Sequence, residues 1–246
     1  MWYPYIHNYY LYHFGLIVLI WLAYSICALL WQATAGETGV KTLPEIYILD
    51  LIGTFAFAVY GAHVAIEKEF DIFGIFVAAF LTALGGGTLR EFILRNIPFY
   101  FYDNNYIFVC LAGYAFSIAI YKVFNKISKY VLIIDAIGLS TFAFIGANKA
   151  DQAGLGAFAI IFLATLTAVG GGLLRDIAIR EVPQIFHSDF YASPTIFLGI
   201  SFAILRNYMH SLILIYCLIF LTFALRLCAI YFRFSLWRPW RKNVKG

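Results

Sequence analysis

The sequence predicts an all-α polytopic membrane protein, built from two inverted three-helix repeats and a final helix, with an extra N-terminal hydrophobic segment. Hydrophobic residues make up 63% of the chain and charged residues only 12%, which lies outside the range of soluble proteins. Apolar segments of roughly the length that spans a bilayer follow one another along the chain. A ten-residue motif also occurs twice, and each copy lies inside one of these segments.

The lengths of the apolar segments predict the membrane spans, since a membrane-spanning helix needs roughly 20 apolar residues. Their approximate bounds are 11–31, 46–66, 72–95, 106–121, 131–148, 155–180, 193–206 and 211–232. The loops between them are short and leave no room for a soluble catalytic domain. The sequence therefore predicts a protein whose function lies within the membrane.

The first segment allows two interpretations. Residues 16–30 have the length of a signal-peptide core, and Ala33-Thr34-Ala35 resembles a small-residue cleavage site. The residues before this core contain no lysine or arginine, although a signal peptide would carry them. Residues 1–45 are thus either a cleaved signal or an extra helix, and in both cases they lie outside the repeat.

The repeat has a constant offset of 85 residues. Its motif runs from Thr82 to Glu91 and again from Thr167 to Asp176. Other pairs align at the same offset without a gap: Asp50 with Asp135, Gly53 with Gly138, Phe57 with Phe142, Gly61 with Gly146, Arg95 with Arg180 and Pro98 with Pro183. Each copy, 46–121 and 131–206, contains three spans, and an odd number of spans makes the second copy enter from the opposite face.

The last part of the chain, 207–246, contains the final span and a basic tail. If residue 46 begins outside, the basic residues inside are Lys68, Lys122, Lys126, Lys129, Arg180, Arg233, Arg238, Arg241, Lys242 and Lys245. Those outside are then Lys41, Arg95, Lys149 and Arg206. The excess of positive charge on one face predicts a cytoplasmic C-terminus, with Trp237 and Trp240 contacting membrane lipids.

Several functional classes are not favoured. The net charge of +4 comes from loops and the tail and is not concentrated on one face, so nothing indicates nucleic acid as a partner. The four cysteines lie in apolar runs without ligand spacing, and we expect no metal site and no cofactor. Because the chain has no zincin, P-loop or nucleophile-elbow motif, we expect no enzyme.

The glycine triplets, Gly85-Gly86-Gly87 and Gly170-Gly171-Gly172, are the first candidate functional elements. Glycine weakens a helix, so we expect each triplet to kink or break its span and to free carbonyl groups that could replace the hydration shell of a cation. Thr82 and Thr167 would line the same pathway, unless their hydroxyls bond back to their own helices. Alternatively, the triplets permit close packing between helices.

Charged residues inside the spans are the second candidate. Charges are poorly solvated in lipid, so each intramembrane arginine needs a carboxylate partner. Six residues are expected to form such a network: Asp50, Arg90, Glu91, Asp135, Arg175 and Asp176. They could act as an ion-pair lock that holds the bundle together, as part of a polar pathway, or as both.

The doubled GGGxLR(E/D) motif and the leading Asp-x-x-Gly-x-x-x-Phe-Ala element resemble those of the bacterial trimeric intracellular cation (TRIC) channels, a two-repeat family also known by the label "glycine transporter". The resemblance covers about residues 46–232. It implies seven spans, a homotrimer and one potassium-permeable pore through each protomer, near kinked second and fifth spans. Residues 1–45 depart from that plan.

Two functions of different classes follow. The first is a monovalent cation channel, permeable to potassium, in a bacterial inner membrane. The second is a secondary transporter of glycine or a similar small zwitterion, because a broken helix with a nearby arginine could hold a substrate carboxylate. A third possibility is a scaffold without transport, for which the intramembrane charges would be hard to explain.

Overall fold

The structure is a computed structural model that describes residues 44–124, 128–187, 190–209 and 211–232. The two interpretations of residues 1–43 and the proposed lipid contacts of the C-terminal tail lie outside the described residues. Within those residues the regular elements are helices, with no strand. The all-α prediction is confirmed.

The helices follow the two halves of the repeat. The first half contains α1 (Pro44–Glu67), α2 (Ile72–Ile93) and α3 (Asn105–Phe124), with a 3-10 turn at Phe99–Phe101 before α3. The second half contains α4 (Ser128–Gln152), α5 (Ala157–Ala178), a short α6 (Gln184–His187) and α7 (Ser193–Leu205). A 3-10 turn at Arg206–Tyr208 leads to the last described helix, α8 (Leu212–Phe232).

Five of the described helices, α1, α2, α4, α5 and α8, are long and apolar enough to cross a membrane. The apolar part of α3 is shorter, and α7 has only 13 residues. At 1.5 Å per residue, α7 is about 20 Å long, against a hydrocarbon core of about 30 Å. The predicted span 193–206 therefore forms a helix that is shorter than the membrane core.

The two repeats interlock through equivalent helices. Helix α1 packs on α4 and α2 packs on α5, while α1–α2 and α4–α5 are neighbours within each repeat. Phe57 of α1 and Phe142 of α4 meet with ring centroids 5.0 Å apart. Each ring lies against the other helix's glycine, Phe57 on Gly138 and Phe142 on Gly53, so the repeat seen in the sequence is also a repeat in packing.

An ion pair shows that the second repeat is inverted. Lys68 follows the end of α1 and Glu181 follows the end of α5, and their side chains form a salt bridge. Successive spans in one repeat run in opposite directions, so the first helix of one repeat and the second helix of the other can end on the same face only if the repeats are inverted. The inverted-repeat prediction is confirmed.

This salt bridge gives a test of the topology. Both side chains are about half exposed, at 46% and 47%, so a carbodiimide is expected to join Lys68 Nζ to the Glu181 carboxyl as an amide. Tryptic mass spectrometry of the membrane-embedded protein should detect the linked peptides. Glu181→Gln removes the carboxylate and serves as the control; an equal yield of the Lys68 cross-link in that variant, or none in wild type, would contradict the arrangement.

Candidate functional site: two buried charge clusters

The glycine triplets do not break their helices. Helices α2 and α5 run without interruption through Gly85–Gly87 and Gly170–Gly172, and all six glycines are buried. The prediction of broken helices is wrong. In a bilayer no water replaces a lost backbone hydrogen bond, and this outweighs the low helix propensity of glycine. The free carbonyl ends expected for binding a cation are therefore not formed at the triplets.

The triplets instead form the crossing of α2 and α5. A Cβ atom on Gly86 would lie 2.1 Å from the carbonyl oxygen of Thr167, and one on Gly171 would lie 2.1 Å from that of Thr82. The two helix backbones touch at this point, and only glycine fits. The structure thus supports the packing alternative for the middle glycine of each triplet.

The first and third glycines have other neighbours. The first faces a leucine of the opposite helix and the third faces an aromatic ring that follows its own helix: Gly85 with Leu174, Gly170 with Leu89, Gly87 with Phe99, and Gly172 with Tyr191. The third glycines also lie near the guanidinium groups of Arg90 and Arg175. This side of each triplet therefore adjoins the charged residues.

Thr82 and Thr167 are buried at equivalent positions before the triplets. The Thr82 hydroxyl donates to the Ala78 carbonyl at 2.7 Å, which is the bond back to its own helix considered from the sequence. The Thr167 hydroxyl has no hydrogen-bond partner within the described residues. The two halves of the crossing are thus equivalent in position but not in bonding.

The first charge cluster, Asp50, Arg90, Glu91 and Tyr106, lies where α1 and α3 begin and α2 ends. Arg90 Nε and Nη2 lie 2.8 Å and 2.7 Å from Glu91 Oε1. Asn96 donates to the other oxygen of Glu91 at 3.0 Å. The Tyr106 hydroxyl donates to Asp50 at 2.8 Å. Since Arg90 and Glu91 are almost fully buried, each compensates the other's charge.

The second charge cluster, Asp135, Arg175, Asp176, Tyr191 and Arg226, repeats this arrangement at the opposite end of the bundle. Arg175 Nε and Nη2 donate to Asp176 Oδ1 at 2.9 Å and 2.7 Å. The Tyr191 hydroxyl donates to Asp135 at 3.3 Å, as Tyr106 does to Asp50 in the first cluster. The Arg175 side chain is fully buried, with its guanidinium carbon 4.9 Å from the centroid of the Tyr60 ring.

Arg226 of α8 makes the second cluster different. Its Nη2 lies 3.8 Å from Asp135 Oδ2, its Nη1 donates to the Phe190 carbonyl at 3.3 Å, and its guanidinium carbon lies 4.7 Å from the Tyr191 ring centroid. Helix α8 follows both repeats and has no counterpart in them. Among the residues that the structure describes, the first cluster therefore receives none equivalent to Arg226.

The local chain geometry that closes α2 and α5 is the same in both repeats. Arg95 and Arg180 take left-handed φ angles of 58° and 59° directly after the helix ends. The next amide in each case donates to the carbonyl of the clustered acidic residue, Glu91 or Asp176, at 2.9 Å. These helix ends fix the backbone of the residues that pair with Arg90 and Arg175.

The second cluster contains buried polar atoms without a hydrogen-bond partner in the described part of the chain. They are Asp135 Oδ2, Arg175 Nη1 and Arg226 Nε. Buried polar groups are almost always hydrogen-bonded, either to protein or to water. Each of these atoms could still accept a hydrogen bond from, or donate one to, a water molecule or another polar group.

Six charged residues of the two clusters could be predicted from the sequence. Three further side chains that complete the clusters were missed, namely those of Tyr106, Tyr191 and Arg226. The tyrosines carry a usable signal, because Tyr106 and Tyr191 share the offset of 85 with Asp50 and Asp135. Asp50 and Asp135 each accept a hydrogen bond from one of these tyrosines. Arg226 carries a weaker signal, as the only charged residue between 211 and 232.

A family model described as Glycine transporter matches residues 47–122 and 132–207. The chain belongs to this family. The two matched parts are the two repeats seen in the structure. Among relatives of the family, a membrane protein of Vibrio cholerae is 35% identical over 205 residues, which cover 82% of this chain and 85% of the relative.

Solved TRIC channel structures share the fold of this glycine-transporter family member. One, from work on conductance through TRIC cation channels, is 33% identical with a TM-score of 0.71 and covers 81% of this chain and 98% of that chain. Another, the trimeric intracellular cation channel orthologue from Rhodobacter sphaeroides, is 31% identical with a TM-score of 0.71 and covers 77% and 98%. The resemblance to TRIC channels inferred from the repeated motif is confirmed.

Proposed function

We propose that the chain is a monovalent cation channel, permeable to potassium, with one ion pathway through each protomer of a homotrimer. The observation that carries this proposal is the pair of buried charge clusters, which lie at opposite ends of a single helix crossing. Intramembrane charges at equivalent, inverted positions are expected along an ion pathway. The cation channels of known structure that share this fold support the same function.

The ion pathway is proposed to run beside the α2–α5 crossing, from the first cluster to the second. Gly85, Gly87, Gly170 and Gly172 would lie along it with Thr82 and Thr167, while Gly86 and Gly171 hold the crossing together. Arg90 and Arg175 do not exclude cations, because each is paired with a carboxylate. The unpartnered Thr167 hydroxyl and the polar atoms of the second cluster would contact the hydrated ion.

The location is proposed to be the bacterial inner membrane, with the C-terminus in the cytoplasm and lipids around the bundle. Bacterial outer-membrane proteins are β-barrels, whereas the described elements here are helices. The positive charge of the loops supports the orientation. The homotrimer is inferred from the trimeric relative of known structure.

The transporter alternative has lost the feature on which it depended. It required a broken helix whose free N-terminus could hold a substrate carboxylate. Helices α2 and α5 are continuous and offer no such N-terminus at the triplets. We therefore retain glycine transport only as an outcome that the functional test must be able to detect.

The test compares electrical conductance with solute uptake in the same preparation. Purified trimer in a planar bilayer is expected to give unitary potassium currents, and proteoliposomes are expected to show no saturable glycine uptake above empty vesicles. Saturable glycine uptake without unitary currents would overturn the channel in favour of the transporter. Neither signal from a correctly folded trimer would favour a scaffold.

A further inference from the structure

The inverted repeat would make the two charge clusters electrically equal if α8 were absent. The first cluster holds one arginine and two carboxylates, Arg90 with Asp50 and Glu91, and so has a formal charge of −1 when the carboxylates are ionised. The second holds two arginines and two carboxylates and is formally neutral. Only Arg226 makes this difference, since the remaining charges correspond one to one.

The position of Arg226 is well defined. Its side chain is 5% exposed and is held by the Phe190 carbonyl, the Tyr191 ring and the Asp135 carboxylate. Water cannot screen a charge buried to this extent as it would a surface charge. Arg226 thus acts on the second cluster as a fixed charge of the protein.

The charged residues near the helix ends change the charge difference between the two clusters less than Arg226 does. Lys149 lies near Asp50 but is partly exposed at the end of α4. At the other end of the bundle, Lys68 is paired with Glu181, and His63 lies 3.2 Å from the half-exposed Glu67. Solvent and salt screen the half-exposed Lys68, Glu181 and Glu67 beyond about 10 Å at 0.1 M ionic strength, while the buried His63 lies beside the carboxylate of Glu67. The difference between the clusters is therefore set by the buried residues.

We propose that Arg226 determines the rectification of the ion pathway. By neutralising Asp135, it makes the second-cluster end less attractive to cations than the first-cluster end, so cations enter more readily from the first. This inference rests on the proposed function, because it requires that cations pass both clusters. It assigns a role in conduction to a residue of the helix that lies outside both repeats.

The effect on current follows from local ion concentration. A fixed unit charge near a narrow pathway changes the cation concentration there severalfold when salt is low. At 1 M salt the ions in the pathway screen the field of this buried charge within about 3 Å, and the effect on the cation concentration should fade. Rectification caused by Arg226 must therefore decrease as the potassium chloride concentration rises.

The experiment measures single-channel currents at equal and opposite voltages in symmetric potassium chloride. The ratio of larger to smaller current is read for each channel and does not depend on its direction of insertion. In Arg226→Gln both clusters carry a formal charge of −1, and the ratio is expected to fall about threefold toward one at low salt. Arg226→Lys keeps the charge and should retain most of the wild-type ratio.

Two further variants make the second cluster positively charged or restore its neutrality. Asp135→Asn leaves the cluster with a formal charge of +1, and the ratio is expected to rise about threefold at low salt. The double variant Arg226→Gln with Asp135→Asn is neutral again and should return to the wild-type ratio. Because the double variant leaves neither charge without its partner, it tests the proposal even if a single variant fails to fold.

Arg206→Gln provides the matched control, because Arg206 is exposed in the turn before α8 and lies outside both clusters. It should leave the ratio unchanged. A folded Arg226→Gln trimer with the wild-type ratio would overturn the role of Arg226 while leaving the channel intact, and so would a double variant that behaves like Arg226→Gln. A wild-type trimer without any unitary current would instead overturn the proposed function itself.

Discussion

Gly86→Ala and Gly171→Ala are each expected to lose the folded protein and all cation current. The added Cβ would lie 2.1 Å from a backbone carbonyl oxygen of the opposite helix, and a backbone cannot rotate away as a side chain can. To relieve the clash, α2 and α5 would have to move apart by roughly 1 Å along their whole contact, at a cost of about 3 kcal/mol or more. Thermal unfolding of the protein in detergent, followed by size-exclusion chromatography, measures the loss.

The matched control lies in the same triplet. A Cβ on Gly172 would be 3.4 Å from the Tyr191 hydroxyl, an ordinary contact, so Gly172→Ala should fold like wild type. Gly156→Ala, where nothing lies within 4 Å, controls for the loss of a glycine in general. If Gly171→Ala melted at the same temperature as Gly172→Ala, the close crossing of α2 and α5 would be wrong.

Arg175→Gln is expected to destabilise the protein by about 3–5 kcal/mol, because it leaves the buried carboxylate of Asp176 without its cation. Arg175 is 0% exposed, and both of its bonds to Asp176 are shorter than 3 Å. Arg180→Gln is the control, since Arg180 lies five residues further along and is exposed. Its loss should change the melting temperature of the protein very little.

The pairing itself is tested by a double-mutant cycle with Asp176→Asn. Removing both charges leaves none stranded, so the double variant should be more stable than Arg175→Gln alone. The coupling is read from melting temperatures of the four proteins under the same conditions. Strictly additive losses would show that the two charges act independently, and the second cluster as described would have to be abandoned.

Much of the fold could be predicted from the sequence because a membrane restricts what a chain can do. Backbone groups must be satisfied within helices, so apolar length alone locates most spans. The offset of 85 and the odd number of spans then require inversion, as the Lys68–Glu181 pair shows. The short length of helix α7 could not be predicted, because apolar composition indicates that a segment is buried but does not give the length of its helix.

The role of the glycine triplets could not be decided from the sequence. The same three residues can break a helix or admit a neighbouring backbone, and the choice depends on what lies opposite. In this protein the opposite element is the other triplet, with Gly86 and Gly171 each facing the partner helix. Only the tertiary structure supplies that partner, which is why local helix propensity gave the wrong answer.

The contacts within the charge clusters could likewise be predicted only in part from the sequence. The pairs Arg90–Glu91 and Arg175–Asp176 are neighbours in sequence and could be predicted. The partner of Asp135 lies 91 positions away on a helix without a repeat copy, so no internal alignment points to Arg226. Its solitary charge in an apolar span is the one sequence signal for it, and the six residues predicted from the sequence did not include it.

Cation conduction by each protomer is tested most directly by the reversal potential of wild-type single channels under a gradient of potassium chloride. A pathway bounded by Asp50 and Glu91 at one end and a neutral cluster at the other should admit potassium in preference to chloride. The reversal potential is therefore expected to lie close to the equilibrium potential of potassium. A reversal potential near that of chloride, or the absence of unitary currents from the folded protein, would contradict cation conduction.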